Sequence, residues 1–167
     1  MKKLKKEKEI VWKFTNKREL NRGEFIRYFE KKVFATIRKF DMLPSSGGIR
    51  LKDDGTLNAK VLKQVLEKKF SVSFVKSGKV DFVSLNLSDI SEMIFEDVLK
   101  GDFSCVNIKN APLYFLSDAE IELYSKLGSI RGKKSKRNKK VQSLFEKFFK
   151  KNPDLEQNVV RAGEQLF

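Results

Sequence analysis

The sequence predicts an α/β fold, with a small sheet of three to five strands flanked by about five helices. Three observations predict it. Apolar residues recur at helical spacing in segments that open on Asn or Ser and close on Gly or Pro, as at Asn21, Ser117, Gly101 and Gly128. Short runs of alternating or β-branched residues lie between those segments. The chain has 167 residues and is 40% hydrophobic, with 15 Phe, enough for one sizeable core.

Residues 1–8 are mostly Lys, and Ile10, Trp12 and Phe14 then alternate with Val11, Lys13 and Thr15, which predicts a strand with one apolar face. A hairpin or turn spans Asn16–Arg22. Asn21 with Glu24 reads as a capping box, and Phe25, Phe29, Val33, Ile37 and Phe40 mark the clearest helix in the chain. Pro44-Ser45-Ser46-Gly47-Gly48 breaks it. Ile49–Leu51 predicts a short strand leading through Asp53-Asp54-Gly55 into a helix whose apolar face is Leu57, Val61, Leu62, Val65 and Leu66. Phe70–Val75 and Val80–Leu85 flank Lys76–Lys79. They read as a hairpin, or as two parallel strands with a shortened crossover, for which four loop residues are few.

Ser88 is expected to cap the next helix, which carries Ile90, Met93, Ile94, Val98 and Leu99, with Gly101 at its left-handed end. A strand is expected near Ser104–Ile108. Ser117 and Glu120 form a second capping box on a helix that runs to Leu127 and stops at Gly128. Two more helices are expected, one bearing Val141, Leu144, Phe145 and Phe148, the other from about Leu155 after Pro153. This organisation divides the chain into a basic tail and strand pair, 1–22, and one domain, 23–167.

Charge is the stronger functional signal. Thirty-six Lys+Arg against 22 Asp+Glu leaves a formal charge of +14, which favours phosphate-rich partners, nucleic acid before an anionic membrane. One Cys and no His exclude an internal disulfide, Cys/His zinc sites, His-based triads and Cys–His dyads. No run is long and apolar enough to span a membrane and no apolar stretch follows the Lys-rich start, so a cytoplasmic location is expected.

The strongest charge run is Arg131, Lys133, Lys134, Lys136, Arg137, Lys139 and Lys140, seven bases in ten residues interrupted by no acid. A run of one sign repels itself, so a phosphate-binding segment is favoured over a solvated loop. Lys2, Lys3, Lys5, Lys6 and Lys8 form a second basic patch. The helix-face Phe residues read as core rather than as base-stacking platforms, while Trp12 and Tyr28 are open to either use. Cys105 reads as a buried inert thiol. Asp53-Asp54-Gly55 reads as an ordinary turn before a helix more readily than as a Mg²⁺ site.

Three segments in order resemble the PP-loop enzymes that thiolate wobble uridine in tRNA, the adenylating 2-thiouridine synthetases. Glu9–Leu43 resembles their entry strands and helix. Ser84-Leu-Asn-Leu-Ser-Asp89 with its following helix is similar to their Gly-His-Asn-Leu-Asp-Asp loop and closing Gly-Asp, matched in type at Asn86, Leu87, Asp89, Gly101 and Asp102. Pro112-Leu113 through Glu120–Tyr124 to Asn158–Arg161 resembles their C-terminal region. The resemblance implies a reduced PP-loop, HUP-like domain and a tRNA partner.

The departures bear on chemistry. Phosphate binding in that family rests on a Ser-Gly-Gly-x-Asp-Ser loop with bare backbone amides. The aligned stretch here is Lys52-Asp53-Asp54-Gly55-Thr56-Leu57-Asn58, with two carboxylates where glycines admit the pyrophosphate. Asp53, Asp54, Gly55, Thr56 and Asn58 therefore read as a degenerate nucleotide loop. Pro44–Ile49 is the nearest literal match but lacks the Asp-Ser, and the family's cysteines are absent.

Taken together, these features lead us to expect a non-catalytic binder of tRNA or another structured RNA, with no cofactor or metal. It would act through Arg131–Lys140 and Lys2–Lys8, as a partner subunit of an active PP-loop enzyme. The alternatives are an ATP-dependent tRNA-modifying enzyme with a divergent loop, or a structural component of a ribonucleoprotein such as the ribosome.

Overall fold

The structure is a computed structural model that describes residues 9–45, 47–102 and 109–166. The element order is β1 (Ile10–Lys13), β2 (Glu19–Asn21), α1 (Arg22–Lys39), β3 (Gly48–Lys52), α2 (Leu57–Leu66), β4 (Ser71–Val75), α3 (Leu87–Lys100), α4 (Asp118–Leu127), α5 (Lys139–Phe149) and α6 (Leu155–Leu166). The expected α/β class is observed, with six helices and four strands among the described residues. The strands form two pairs rather than one sheet, antiparallel β1–β2 and parallel β3–β4.

The β1–β2 hairpin stays apart from β3 because its apolar face is spent on α1. Trp12 packs on Phe25, ring centroids 5.5 Å apart, and Phe14 meets Tyr28 edge-on at 5.2 Å. Helix α1 opens on the expected capping box. The Asn21 side chain accepts from the Gly23 and Glu24 amides, and the Glu24 carboxylate accepts from the Asn21 amide at 2.9 Å. Its stripe of Phe25, Phe29, Val33 and Ile37 is buried against α2 and α4, with the Phe29 ring stacked on Tyr124 at 4.2 Å. Each fully buried Phe of this kind contributes about 1.5–3 kcal/mol through area removed from water.

β3, α2 and β4 make one βαβ unit, paired in register from Gly48↔Ser71 to Lys52↔Val75. The hairpin expected between Phe70–Val75 and Val80–Leu85 does not form. The Asp53 amide donates to the Val75 carbonyl on one edge of β3, whereas the Lys52 amide donates to the Phe82 carbonyl on the other. Phe82 joins β3 only at its C-terminal end. The chain therefore crosses the end of the sheet without returning along it, and a short connection suffices. Phe82 is fully buried and is the only residue of its run bridged to a strand.

The cap of α3 is Asn86, not Ser88. Asn86 accepts from the Asp89 amide at 2.8 Å and the Asp89 carboxylate returns to the Asn86 amide at 3.1 Å, a capping box two residues earlier than expected. The Ser88 hydroxyl accepts from the Asp118 amide instead, tying α3 to the start of α4. Gly101 ends α3 at φ 68°, as its position predicts. A smaller core of Leu87, Ile90, Tyr114 and Val160 joins α3 to α6. Cys105 and the strand expected near Ser104–Ile108 lie outside the described residues, as do Lys2, Lys3, Lys5, Lys6 and Lys8.

Candidate functional site

The turn from β3 into α2 stands where an α/β nucleotide loop stands, after a parallel strand and before a helix. Its amides are already in use. The Gly55 amide donates to Asp53 Oδ1 at 3.2 Å, and the Thr56 amide donates to Asp54 Oδ1 at 2.9 Å. The Leu57 amide donates to the Lys133 carbonyl at 2.7 Å, and the Ala59 amide to Thr56 Oγ1 at 3.2 Å. Carboxylates two residues back thus occupy the donors that a phosphate would need, through the Asx turns that Asp favours before a helix. The second oxygen of Asp54 accepts from Ser84 Oγ at 2.6 Å, which ties the loop to the segment entering α3. Asn58, buried in the first turn of α2, donates to Asp89 Oδ2 at 3.1 Å.

The literal match Pro44–Ile49 lies at the wrong end of the strand. Gly48 and Ile49 are the first two residues of β3, so no helix N-terminus follows them to meet a phosphate.

Residues Arg131–Asn138 form a strap across the loop. Thr56 and Lys133 make a parallel bridge, and Lys60 Nζ donates to the Arg131 carbonyl at 2.9 Å. Gly132 is the point of closest approach. A Cβ built there meets Leu57 Cα at 2.6 Å, so only glycine lets the two backbones touch. The strap is latched by Arg137. Its guanidinium donates to Asp89 Oδ1 at 2.9 Å, to both Asp118 oxygens at 2.6 and 2.7 Å, and to Glu92 Oε1 at 3.3 Å.

The inner part of this cluster is nearly dry, with the Arg137, Asp89 and Glu92 side chains 11%, 7% and 12% exposed, while Asp118, at 42%, opens to solvent. Burial pushes the Glu92 carboxyl up to about 7, Arg137 pulling it back and Asp118 adding to the rise. Asp89 and Glu156 are also raised, again chiefly by burial. Several carboxylates around one guanidinium cannot all be comfortable when ionised, and the most strongly desolvated ones resist it.

A cleft of about 760 Å³ remains between loop, strap and α3, lined among others by Asp54, Thr56, Ser84, Glu92, Glu96 and Lys136. Both signs of charge face it. No group of three or more Asp, Glu, Cys or His among the described residues is arranged to hold a metal ion.

The seven bases expected to act together are thereby divided. Arg137 faces inward and is consumed by the latch. Lys134 pairs with Glu122 at 2.6 Å on the surface. Arg131, Lys133, Lys136, Lys139 and Lys140 are exposed and carry no ion pair among the described residues. Sequence reading missed the acids Asp89, Glu92 and Asp118 as the partners of this run. A signal was present, because Arg137 is an Arg among lysines, and the forked guanidinium is the side chain suited to a buried carboxylate cluster.

Strand β3, the Asp53–Thr56 turn and α2, with α3 opening beside them, define the class: an α/β fold with a strand–turn–helix in which the Gly55, Thr56 and Leu57 amides of the turn are bonded within the chain. The solved U34-tRNA thiolase NcsA from Methanococcus maripaludis, with its [4Fe-4S] cluster, has this fold; TM-score 0.73, 14% identity, 94% of this chain and 84% of that one covered. This chain therefore keeps most of that fold. No protein-family model and no curated protein matches the sequence. The cluster in the neighbour's name finds no fit here, because iron–sulfur clusters are held by several Cys thiolates and this chain offers one Cys and no His.

Proposed function

We propose that this chain is a non-catalytic RNA-binding relative of the tRNA thiolation enzymes, with tRNA or a similarly structured RNA as its ligand. One observation carries the reading: at the position of a nucleotide loop, the amides of Gly55, Thr56, Leu57 and Ala59 are each bonded to an oxygen of the chain itself. An incoming triphosphate would have to displace Asp53 and Asp54 and then sit beside their charges, which repel it. The outer face of the strap supports the RNA half of the reading. Arg131, Lys133, Lys136, Lys139 and Lys140 point to solvent without acid partners, a layout suited to phosphate contacts and to little base specificity. Such a protein serves as a binding subunit beside an active PP-loop enzyme.

Calorimetric titration with tRNA and with ATP·Mg²⁺ at two salt concentrations tests this. The expected result is tRNA binding that weakens steeply with salt, and no heat with ATP. Clear ATP binding would overturn the non-catalytic reading, and salt-independent tRNA binding would overturn the phosphate-contact reading.

A further inference from the structure

A second basic surface lies away from the strap, along the outward face of α1. Arg27, Lys31 and Arg38 occupy the side opposite the buried Phe25–Ile37 stripe, all exposed and without an ion pair among the described residues. Arg27 and Lys31 are one turn apart, about 6 Å along the axis. Arg27 and Lys31, together with Arg18 at the hairpin turn, border a groove of about 670 Å³ between β2 and α1, lined also by Lys32 and Tyr28.

The acids at its edge are already engaged. Glu19 pairs with Lys13 at 3.0 Å, and the Glu24 carboxylate is held in the capping box at the Asn21 amide. Lys32 and the Tyr28 hydroxyl both donate to Glu120, at 3.2 and 2.6 Å, so they are fixed in place beneath the groove. Toward solvent the groove is net positive, Arg18, Arg27 and Lys31 outweighing the exposed Glu24 carboxylate, which keeps its charge in the capping box.

We infer that this groove is a second RNA-backbone interface, seating a stretch of the sugar–phosphate chain while the strap contacts another part of the same RNA. The inference rests on the RNA-binding reading above. The composition of the groove selects this partner. Protein partners bury apolar anchors in pockets, and here Leu20 is already in the core and Ala35 is the one other aliphatic lining residue. A phosphate chain needs exposed cations without acid partners, which Arg18, Arg27 and Lys31 supply.

The test is tRNA binding to the full chain, measured by fluorescence anisotropy across a salt series, for the wild type, R18Q/R27Q/K31Q and the strap variant K133Q/K136Q/K139Q/K140Q. Losing three phosphate contacts should lower the slope of log K against log salt by about 2 and weaken binding about tenfold or more at low salt. Emission from Trp12, the chain's single Trp, and an unchanged melting temperature establish that the variant is folded. Arg18 also lies over the Phe14 ring at 5.6 Å. Should its loss unsettle the hairpin, R27Q/K31Q alone should still lower the slope by about 1.4.

Wild-type slope and affinity in the α1 variants, with the strap variant impaired, would overturn the groove as an interface and leave the RNA-binding reading intact. A wild type that does not bind tRNA would overturn both. A polyglutamate peptide lost by the α1 variants while tRNA is retained would assign the groove to an acidic protein instead.

Discussion

The Asp53–Thr56 turn and the Arg131–Asn138 strap lie against each other and are held by opposite means. The turn is closed by bonds between residues two apart, Asp53 with Gly55 and Asp54 with Thr56. The strap has no regular structure of its own. It is held by Arg137 reaching Asp89, Glu92 and Asp118, at separations of 48, 45 and 19 residues. The first kind of closure is written in adjacent residues and survives local change. The second depends on partners from distant segments, the Arg137 latch foremost, and losing that guanidinium removes the cation shared by Asp89, Glu92 and Asp118.

The comparison can be broken most severely at the latch. Arg137→Met should destabilise the fold by about 3–5 kcal/mol, because it takes the one cation away from the buried Asp89 and Glu92 carboxylates. Chemical denaturation reads this directly, and a change below about 1 kcal/mol would show that the cluster is hydrated rather than dry. Gly132→Ala should cost less, about 1–3 kcal/mol, as the strap is pushed off the Leu57 backbone. Amide exchange at Leu57, whose donor is given to the Lys133 carbonyl, should rise with it.

On the side of the turn, Thr56→Ala removes one cap bond to the Ala59 amide and should cost about 1 kcal/mol, leaving the strap in place. The pH dependence is gentler. Glu92 is raised from the usual 4.5 to about 7, so between those values the folded chain holds a proton that the unfolded chain has lost. Stability should therefore fall as pH rises from about 4.5 to 7, with Asp89 and Glu156 adding in the same direction. A melting temperature that is flat or rising across this window would contradict the buried-acid geometry. The smallest effect on stability belongs to the outer strap: K133Q/K136Q/K139Q/K140Q should move it by less than about 0.5 kcal/mol while lowering RNA affinity.

Much of the fold was legible because its signals are local. The capping boxes at Asn21–Glu24 and Ser117–Glu120, the Phe25–Ile37 stripe and the left-handed Gly101 each involve residues within a turn or two of one another. The failures share a cause. Ser88 and Asn86 are both competent caps, and only the meeting of the α3 and α4 N-termini assigns Ser88 to the Asp118 amide. Phe70–Val75 and Val80–Leu85 have equal strand character, and neither reveals that β3 will lie between them. In the site, the position and closure of the turn followed from Asp53-Asp54-Gly55, whereas the strap that covers it did not.

The sequence by itself determined a basic α/β chain with one Cys, no His and a carboxylate-closed turn at Asp53–Thr56, since composition and two-residue hydrogen bonding need no partner from elsewhere in the chain. Only the tertiary structure decided which of the seven bases face solvent and which one is turned inward. The charge of Arg137 is set by the sequence, but its environment is set by three acids from distant segments, and that environment determines whether a cation stays in solvent or holds the protein together.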